Sequence, residues 1–523
     1  MPPAFNLIDC PFIPCIARNG SAAVFGLRQV LLKAHEIVEI RDSSPLVSVA
    51  LHRLLLAILH RCYQGPKNAA ERVAIRKVEA FDERRLSIYF ARWADHFDLF
   101  HEKFPFYQRA GFKTKEPSGI NRLAQELSRG NNAALFDHTT DNPPPPLSPA
   151  QAARVVIAEQ AFAVGGGKSD TGNTTHAPLV SGATVLVRGE TLFETLWLNL
   201  TVFSDKEPVA SLADDAPVWE RRPAEPHKQP SRPRGYLDYL TWQSRTLCLH
   251  PEDEGGQILV RRVSYAQGRK LEIPAGFFDP MTAYFRRDQK DEFQAVRFNG
   301  YRDLWRDSTA LFRVSEKHQT FDRAPTCLHT LLAFELQEEL SRSARYRVSV
   351  FGLCTDKAKV NFWRHESLPF PLAYLDNPQL VESLKQALEL AESVARKAIW
   401  PAVRAAAASR LTVTSDQSPD GTRVGQLIDS LGTERLYWSR LELPFREFIV
   451  TLAANVGQRD VRVRDWYTDI LRTAASEAFD QTVGQFDGGR DLKAVNAGQR
   501  VLFRNLKQIE RDVHGIEPKG NSK

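Results

Sequence analysis

The chain is poor in the features that most often announce an activity or a location. Its 523 residues include six cysteines, Cys10, Cys15, Cys62, Cys248, Cys327 and Cys354. They are scattered, without the spacing of a disulfide framework or a zinc knuckle. "CPFIPC" has too wide a gap for a Cys-x-x-Cys site, so reduced thiols in a cytoplasm are expected. No apolar run reads as a membrane span: the most apolar segment, "PLVSVALHRLLLAILHRCY", is broken by His52 and Arg53. The start, "MPPAFNLIDC", has no basic n-region and Asp9 interrupts it, so it does not read as a signal peptide. Charge of one sign is also scarce. Lys+Arg 69 against Asp+Glu 63 leaves +6, which supports nucleic-acid binding only where cations cluster. No HExxH, GxSxG, or DxD with a matching glutamate occurs. That absence favours a binding protein, with no catalytic residue, metal set or cofactor to name.

What is present is ordinary globular material, 43% hydrophobic and 25% charged, long enough for two or three domains. One stretch stands out. "AVGGGKS", residues 163–169, resembles the end of a phosphate-binding loop, but Phe162 occupies the position of its first glycine. Its flank is inverted as well. Ser148 as N-cap, Pro149 at N1 and Gln151 closing a capping box predict a helix running into the loop. A nucleotide enzyme would need a strand there.

The first 375 residues mix short strands, helices and long loops, and two proline-rich stretches, "DNPPPPLSP" and 220–235, read as exposed loops. "FNLIDCPFIPCIA" reads as strand, and "SPLVSVALHRLLLAILHRCY" and "RLSIYFARWADHFDLF" as buried helices. His52 and His60 on the first of these read as satisfied core or edge histidines rather than metal ligands. Asp137, His138 and Asp141 lie in a loop with no visible partner.

From Asn377 long helices take over, the first with Asn377 as N-cap, Pro378 at N1 and one apolar face: Leu380, Leu384, Ala387, Ala391, Val394 and Ala398. Three more cover "ERLYWSRLELPFREFIVTLAANV", "DWYTDILRTAASEAFDQTV" and "RDLKAVNAGQRVLFRNLKQIERDV". The fold class expected is therefore α+β: a large mixed domain over 1–375, then a four-helix bundle over 376–523. On the last helix Leu502, Leu506, Ile509 and Val513 form a core stripe. Lys493, Arg500, Arg504, Lys507 and Arg511 share the opposite face, either a solvated face or a track for a phosphate backbone.

Several stretches together, "FNLIDCPFIPCI", "SPLVSVALHRLLLAILHR", "FDLFHEKFPFYQ", "NNAALFDHT", "LSPAQAARVVIAEQAFAVGGGKS", "RPRGYLDYLTWQSRTL" and "DKAKVNFWRHESLP", resemble the CasA family in order and spacing. That family is the large subunit of the type I-E CRISPR surveillance complex, Cascade. The resemblance implies a non-catalytic subunit that reads the protospacer-adjacent motif (PAM) in double-stranded DNA, promotes duplex opening and R-loop formation, and helps recruit the helicase-nuclease. Implied partners are the CasB, CasC, CasD and CasE families, crRNA, target DNA and the helicase-nuclease, with no membrane. A purely architectural subunit without PAM readout is the alternative.

Site residues carry over by position. The family's glycine loop falls on Ala163, Val164, Gly165, Gly166, Gly167 and Lys168, with Gly166 central. This chain has Ala163 and Val164 where the family pattern carries a glycine and an aromatic residue. The duplex-opening wedge falls on Asp356, Lys357, Ala358 and Lys359, without the amide pair of the better-known pattern; an ordinary hairpin turn is the other reading. A basic minor-groove finger falls on Arg269 and Lys270, in what is also an unremarkable "QGRK" turn. A loop touching the crRNA handle and a neighbouring subunit falls on Asn131, Asn132 and Phe136. The zinc-binding cysteines of some members are missing from "HPEDEGGQILVRR", so no structural zinc is expected.

Overall fold

In the computed structural model the described residues are 3–124, 144–202, 214–221, 229–273, 277–286, 288, 292–300, 302–313, 322–333, 338, 340, 345–356, 359–412, 419–486 and 489–514. The chain divides into two compact units, Met1–Leu368 and Pro369–Lys523.

The first unit is organised on the helix Pro45–Tyr63. Pro45 starts it, and Gln64 ends it in the left-handed region at φ 53°. By length and composition this is the one described helix able to cross a membrane, yet 83% of its apolar window is buried inside the protein. Leu51, Leu55, Ile58 and Leu59 are wholly buried, and each such side chain contributes about 1.5–3 kcal/mol relative to exposure. His52 and Arg53, which interrupt the apolar run in sequence, also point inward. His52 Nδ1 meets the Ser48 carbonyl at 2.7 Å, and Arg53 pairs with Asp279 at 3.4 Å.

Against this helix lies the helix Pro149–Phe162, with both capping-box bonds present: Ser148 Oγ accepts from Gln151 N and Gln151 Oε1 accepts from Ser148 N. Small antiparallel sheets surround these helices. Ile13–Ala17 sits between Ala22–Phe25 and Ile37–Ile40. Arg245–Glu254 and Gln257–Gln267 form a long hairpin, whose turn uses Gly255 and Gly256 at φ 67° and 88°, the geometry of a hairpin turn that needs positive φ twice. Arg347–Asp356 and Lys359–Pro369 form a second hairpin beside Thr184–Arg188.

Two local expectations differ from what forms. Strand begins only at Ile13, because Asn6 makes a turn: its Oδ1 accepts from Ile8 N at 3.0 Å and its carbonyl from Cys10 N at 2.8 Å. The helix Glu83–Arg92 stops before Trp93, and Ala94–Phe97 continues as a 3-10 turn.

The second unit is helical. Asn377 Oδ1 caps Pro378–Val394 through Gln379 N and Leu380 N, and the six apolar residues of the expected face are buried. The helix does not stop at Trp400. A π-turn over Ala395–Ile399 leads into Trp400–Leu411, carrying the chain past Pro401; the widened turn accommodates the missing amide donor and ring of proline. Thr433–Ala454 follows, and Arg459–Asp465 and Arg472–Thr482 are joined by another π-turn at Trp466–Leu471. Gly489–His514 is last. A shorter helix, Gly421–Leu431, was not expected from sequence. Gly498 marks a close crossing, since a Cβ there would lie 2.5 Å from Phe479 Cζ and 2.9 Å from the Ala402 carbonyl.

Candidate nucleic-acid interface

The glycine run is one leg of a hairpin. The helix closes at Phe162, and Ala163 accepts from Ala177 N at 2.9 Å across the two legs. Gly165 N donates to His176 Nδ1 at 3.1 Å, Gly166 N to the Thr174 carbonyl at 2.9 Å, and Gly167 N to Thr174 Oγ1 at 2.9 Å. Lys168–Ser169 then pairs with Gly172–Asn173. A helix therefore enters the loop and a hairpin leaves it, the reverse of a phosphate-binding loop, and all three glycine amides are already engaged.

Two glycines are required here by geometry. A Cβ on Gly165 would lie 2.6 Å from the Thr175 carbonyl carbon and 2.7 Å from His176 N. Gly166 sits at φ 103°, where an L side chain is strained. Ala163 and Gly165 are buried, whereas Gly166, Gly167 and Lys168 are exposed. The exposed surface is thus flat backbone beside one cation, and the carbonyls of Gly165 and Gly166 accept from no described donor. His176 keeps a lowered pKa through burial and the nearby Arg245 and Arg297 charges, which preserves the neutral ring that accepts the Gly165 amide.

A buried polar network that sequence reasoning missed fixes this leg. Arg245 is wholly buried. Its Nη2 donates to the Val164 carbonyl at 3.0 Å, Nη1 to the Ser244 carbonyl at 2.9 Å, and Nε to Tyr265 Oη at 2.6 Å. Tyr265 Oη donates onward to Glu159 Oε1 at 2.8 Å, and Glu159 lies 3.9 Å from Arg245. Burial, then the Glu159 charge, push the Tyr265 phenol up to about 12. Gln160 locks the same joint, accepting from Arg245 N at 2.8 Å and donating to the Arg245 carbonyl at 3.0 Å. The only signal in sequence was a charge inside each of two otherwise apolar stretches, "VVIAEQAFAV" and "SRTLCL".

Gln267 brings the "QGRK" turn against the hairpin. Its Oε1 accepts from Thr175 N at 2.7 Å, its N donates to Ser169 Oγ at 3.1 Å, and its carbonyl accepts from Thr171 Oγ1 at 3.1 Å. The turn does not offer Arg269 as a free finger. That guanidinium is bidentate to Asp238, at 2.6 and 3.1 Å, and lies 3.7 Å over the Trp242 ring. Burial opposes ionisation of Asp238, but the Arg269 bonds outweigh it and hold its carboxyl below the usual range. Lys270 is half-buried and makes no ion pair among the described residues.

The remaining site positions are partly visible. Lys357 and Ala358 lie outside the described residues, as does the Asp356 side chain; Lys359 is exposed at the start of its strand. Asn131, Asn132 and Phe136 lie outside them too, as do Asp137, His138 and Asp141. In the second unit Lys493, Arg500, Arg504, Lys507 and Arg511 are all exposed, opposite buried Leu502, Leu506, Ile509 and Val513. Among the described residues no three His, Cys, Asp or Glu side chains gather as a metal site.

A family model for CRISPR-associated protein Cse1 matches residues 6–478. The chain is 34% identical over 522 residues to CRISPR-associated protein CasA/Cse1 of Thermus thermophilus, covering 97% of this chain and 98% of that one. A crystal structure of Thermus thermophilus CasA matches with a TM-score of 0.79 at 31% identity, over 96% of this chain and 99% of that one. A chain of a CRISPR RNA-guided surveillance complex shares the fold, with a TM-score of 0.76 at 22% identity over 96% and 100%.

Proposed function

Because the chain belongs to the Cse1 family of CRISPR-associated proteins, we propose that it is the large subunit of a crRNA-guided Cascade complex and reads the PAM of double-stranded DNA. The observation that carries this reading is the exposed leg Gly166–Gly167–Lys168, held from behind by Arg245 and from the side by Gln267. With no side chain on two successive residues, backbone can approach base edges in the minor groove. The glycine amides are engaged internally, so direct readout falls to the carbonyl of exposed Gly166. It matches the guanine amino donor, the one distinctive group that groove presents. Lys168 at the end of the leg and Lys270 in the turn that Gln267 ties to the hairpin supply positive charge. Arg269 acts indirectly, by fixing the turn that carries Lys270.

On the same reading, the Arg347–Asp356 and Lys359–Pro369 hairpin wedges the first target base pairs apart. The five cations of the last helix follow a phosphate backbone, and the chain helps recruit the helicase-nuclease while cutting nothing itself. The test is to assemble the chain with its partner subunits and crRNA and titrate matched duplexes that differ only in the PAM, with and without Gly166→Asp. Affinity should depend on the PAM in the parent complex and lose that dependence in the variant while assembly persists. Binding that ignores both the PAM and the substitution would leave an architectural subunit.

A further inference from the structure

Beside the glycine hairpin lies a loop to which no role has so far been assigned. Residues 111–117, "GFKTKEP", leave the core through Phe112 N bonded to the Arg109 carbonyl at 3.3 Å, and Gly111 turns the chain at φ 67°. At its far end Lys115 N donates to Asp170 Oδ2 at 3.2 Å. Asp170 is the first residue of the hairpin turn, between Lys168–Ser169 and Gly172–Asn173. The loop and the hairpin tip are therefore tied through the main chain of one and the carboxylate of the other. That bond also occupies the acid at the tip of the hairpin. Thr114 Oγ1 donates to the Glu116 carbonyl at 3.1 Å and stiffens the loop between its two lysines.

Lys113 and Lys115 are exposed, as is Lys168 on the hairpin, and none of the three makes an ion pair among the described residues. The acids in this neighbourhood are Asp170, taken by the Lys115 amide, exposed Glu116, and exposed Glu252, which acts on His250 together with Lys113 and Arg262. Lys113, Lys115, Lys168 and Arg262 still outnumber them, although the chain as a whole carries only +6. Unpaired lysines held by a tethered loop lose little on meeting an anion, and a run of phosphates is the regular polyanion that lies along a duplex groove.

We propose that the 111–117 loop is a second basic arm, gripping through Lys113 and Lys115 the phosphate backbone of the duplex that the glycine leg faces. The proposal rests on the placement of duplex DNA against that leg. It assigns the two elements different work. The glycine leg discriminates sequence, whereas the arm adds affinity that is blind to sequence and sensitive to salt.

The test uses the assembled complex carrying Lys113→Gln and Lys115→Gln together, with Lys113→Arg and Lys115→Arg as the charge-preserving control. Affinity for matched duplexes with good and poor PAMs is measured across a salt series. Each phosphate no longer neutralised should flatten the slope of log affinity against log salt by roughly 0.9, and weaken binding on the order of tenfold near 0.1 M salt. Both PAMs should lose affinity by the same factor, so their ratio is unchanged, and the arginine control should keep the parental slope. An unchanged slope in a complex that still discriminates PAMs overturns the arm and spares the reader. A flattened slope in a complex that never discriminated PAMs sustains a DNA arm and overturns the reader. Loss of subunit assembly at an unchanged DNA slope would make the partner a protein surface, and would overturn the proposal.

Discussion

Replacing Arg245 with methionine removes a guanidinium that four groups use at once. The Val164 and Ser244 carbonyls lose donors at 3.0 and 2.9 Å, Tyr265 Oη loses its donor at 2.6 Å, and Glu159 loses a cation at 3.9 Å. Methionine fills much of the volume, so the loss is polar. Breaking one side of a buried ion pair costs about 3–5 kcal/mol, because the remaining charge stays buried. With unfolding entropy of about 2.1 cal/mol/K per residue, a unit spanning Met1–Leu368 has a slope near 0.8 kcal/mol/K, so 4 kcal/mol lowers its midpoint by about 5 °C. Differential scanning calorimetry of the chain reads this directly. Adding Glu159→Gln to Arg245→Met should recover about half of the loss, because the stranded carboxylate is then neutral and still accepts from Tyr265. In the assembled complex Arg245→Met should also reduce PAM discrimination, since Val164 no longer anchors the leg, while salt dependence stays parental. A midpoint within 1 °C of the parent, or a double variant no more stable than the single one, would refute the buried-pair argument.

Acid should weaken the first unit through His52 and His60. Burial first, then Arg188 for His52 and Arg72 for His60, push both pKa values down to about 3. An unfolded histidine titrates near 6.5, so as pH falls below that value the unfolded state binds protons the folded state refuses, and stability falls. At pH 5 the loss is roughly 2 kcal/mol per histidine. Denaturant midpoints measured at pH 7 and 5 should show it, with a smaller acid loss in His52→Leu; equal losses in both proteins would rule out His52 as a source. Gly498→Ala should destabilise the bundle by about 1–2 kcal/mol despite alanine's better helix propensity, because its Cβ meets Phe479 Cζ at 2.5 Å and the Ala402 carbonyl at 2.9 Å. Thermal melts by circular dichroism would show this, and a raised midpoint would mean that the helices carrying Phe479 and Ala402 give way freely.

Sequence alone determined what short-range chemistry controls. Ser148, Pro149 and Gln151 start their helix whatever packs on it, and Asn377 with Pro378 does the same, because capping bonds span three residues or fewer. The helix leading into "AVGGGKS" was enough to refuse the phosphate loop, and the buried stripe of the last helix followed from its period. Local rules failed where distant packing entered. The stretch that begins at Asn377 does not end at Trp400, because a π-turn held within the bundle carries the helix through Pro401. Arg269 looked like a free finger until the fold set Asp238, thirty-one residues away, beside it at 2.6 Å. Arg245 and Glu159 carried no motif, since neither residue's neighbours reveal that the other will meet it in the core. Which of three successive glycines packs and which faces solvent was likewise settled by Thr174, Thr175 and His176 on the returning leg. Caps and periods are energies between chain neighbours, and so are written in order along the sequence. Charge partners and close approaches are energies between segments that only folding brings together, and so the tertiary structure decided them.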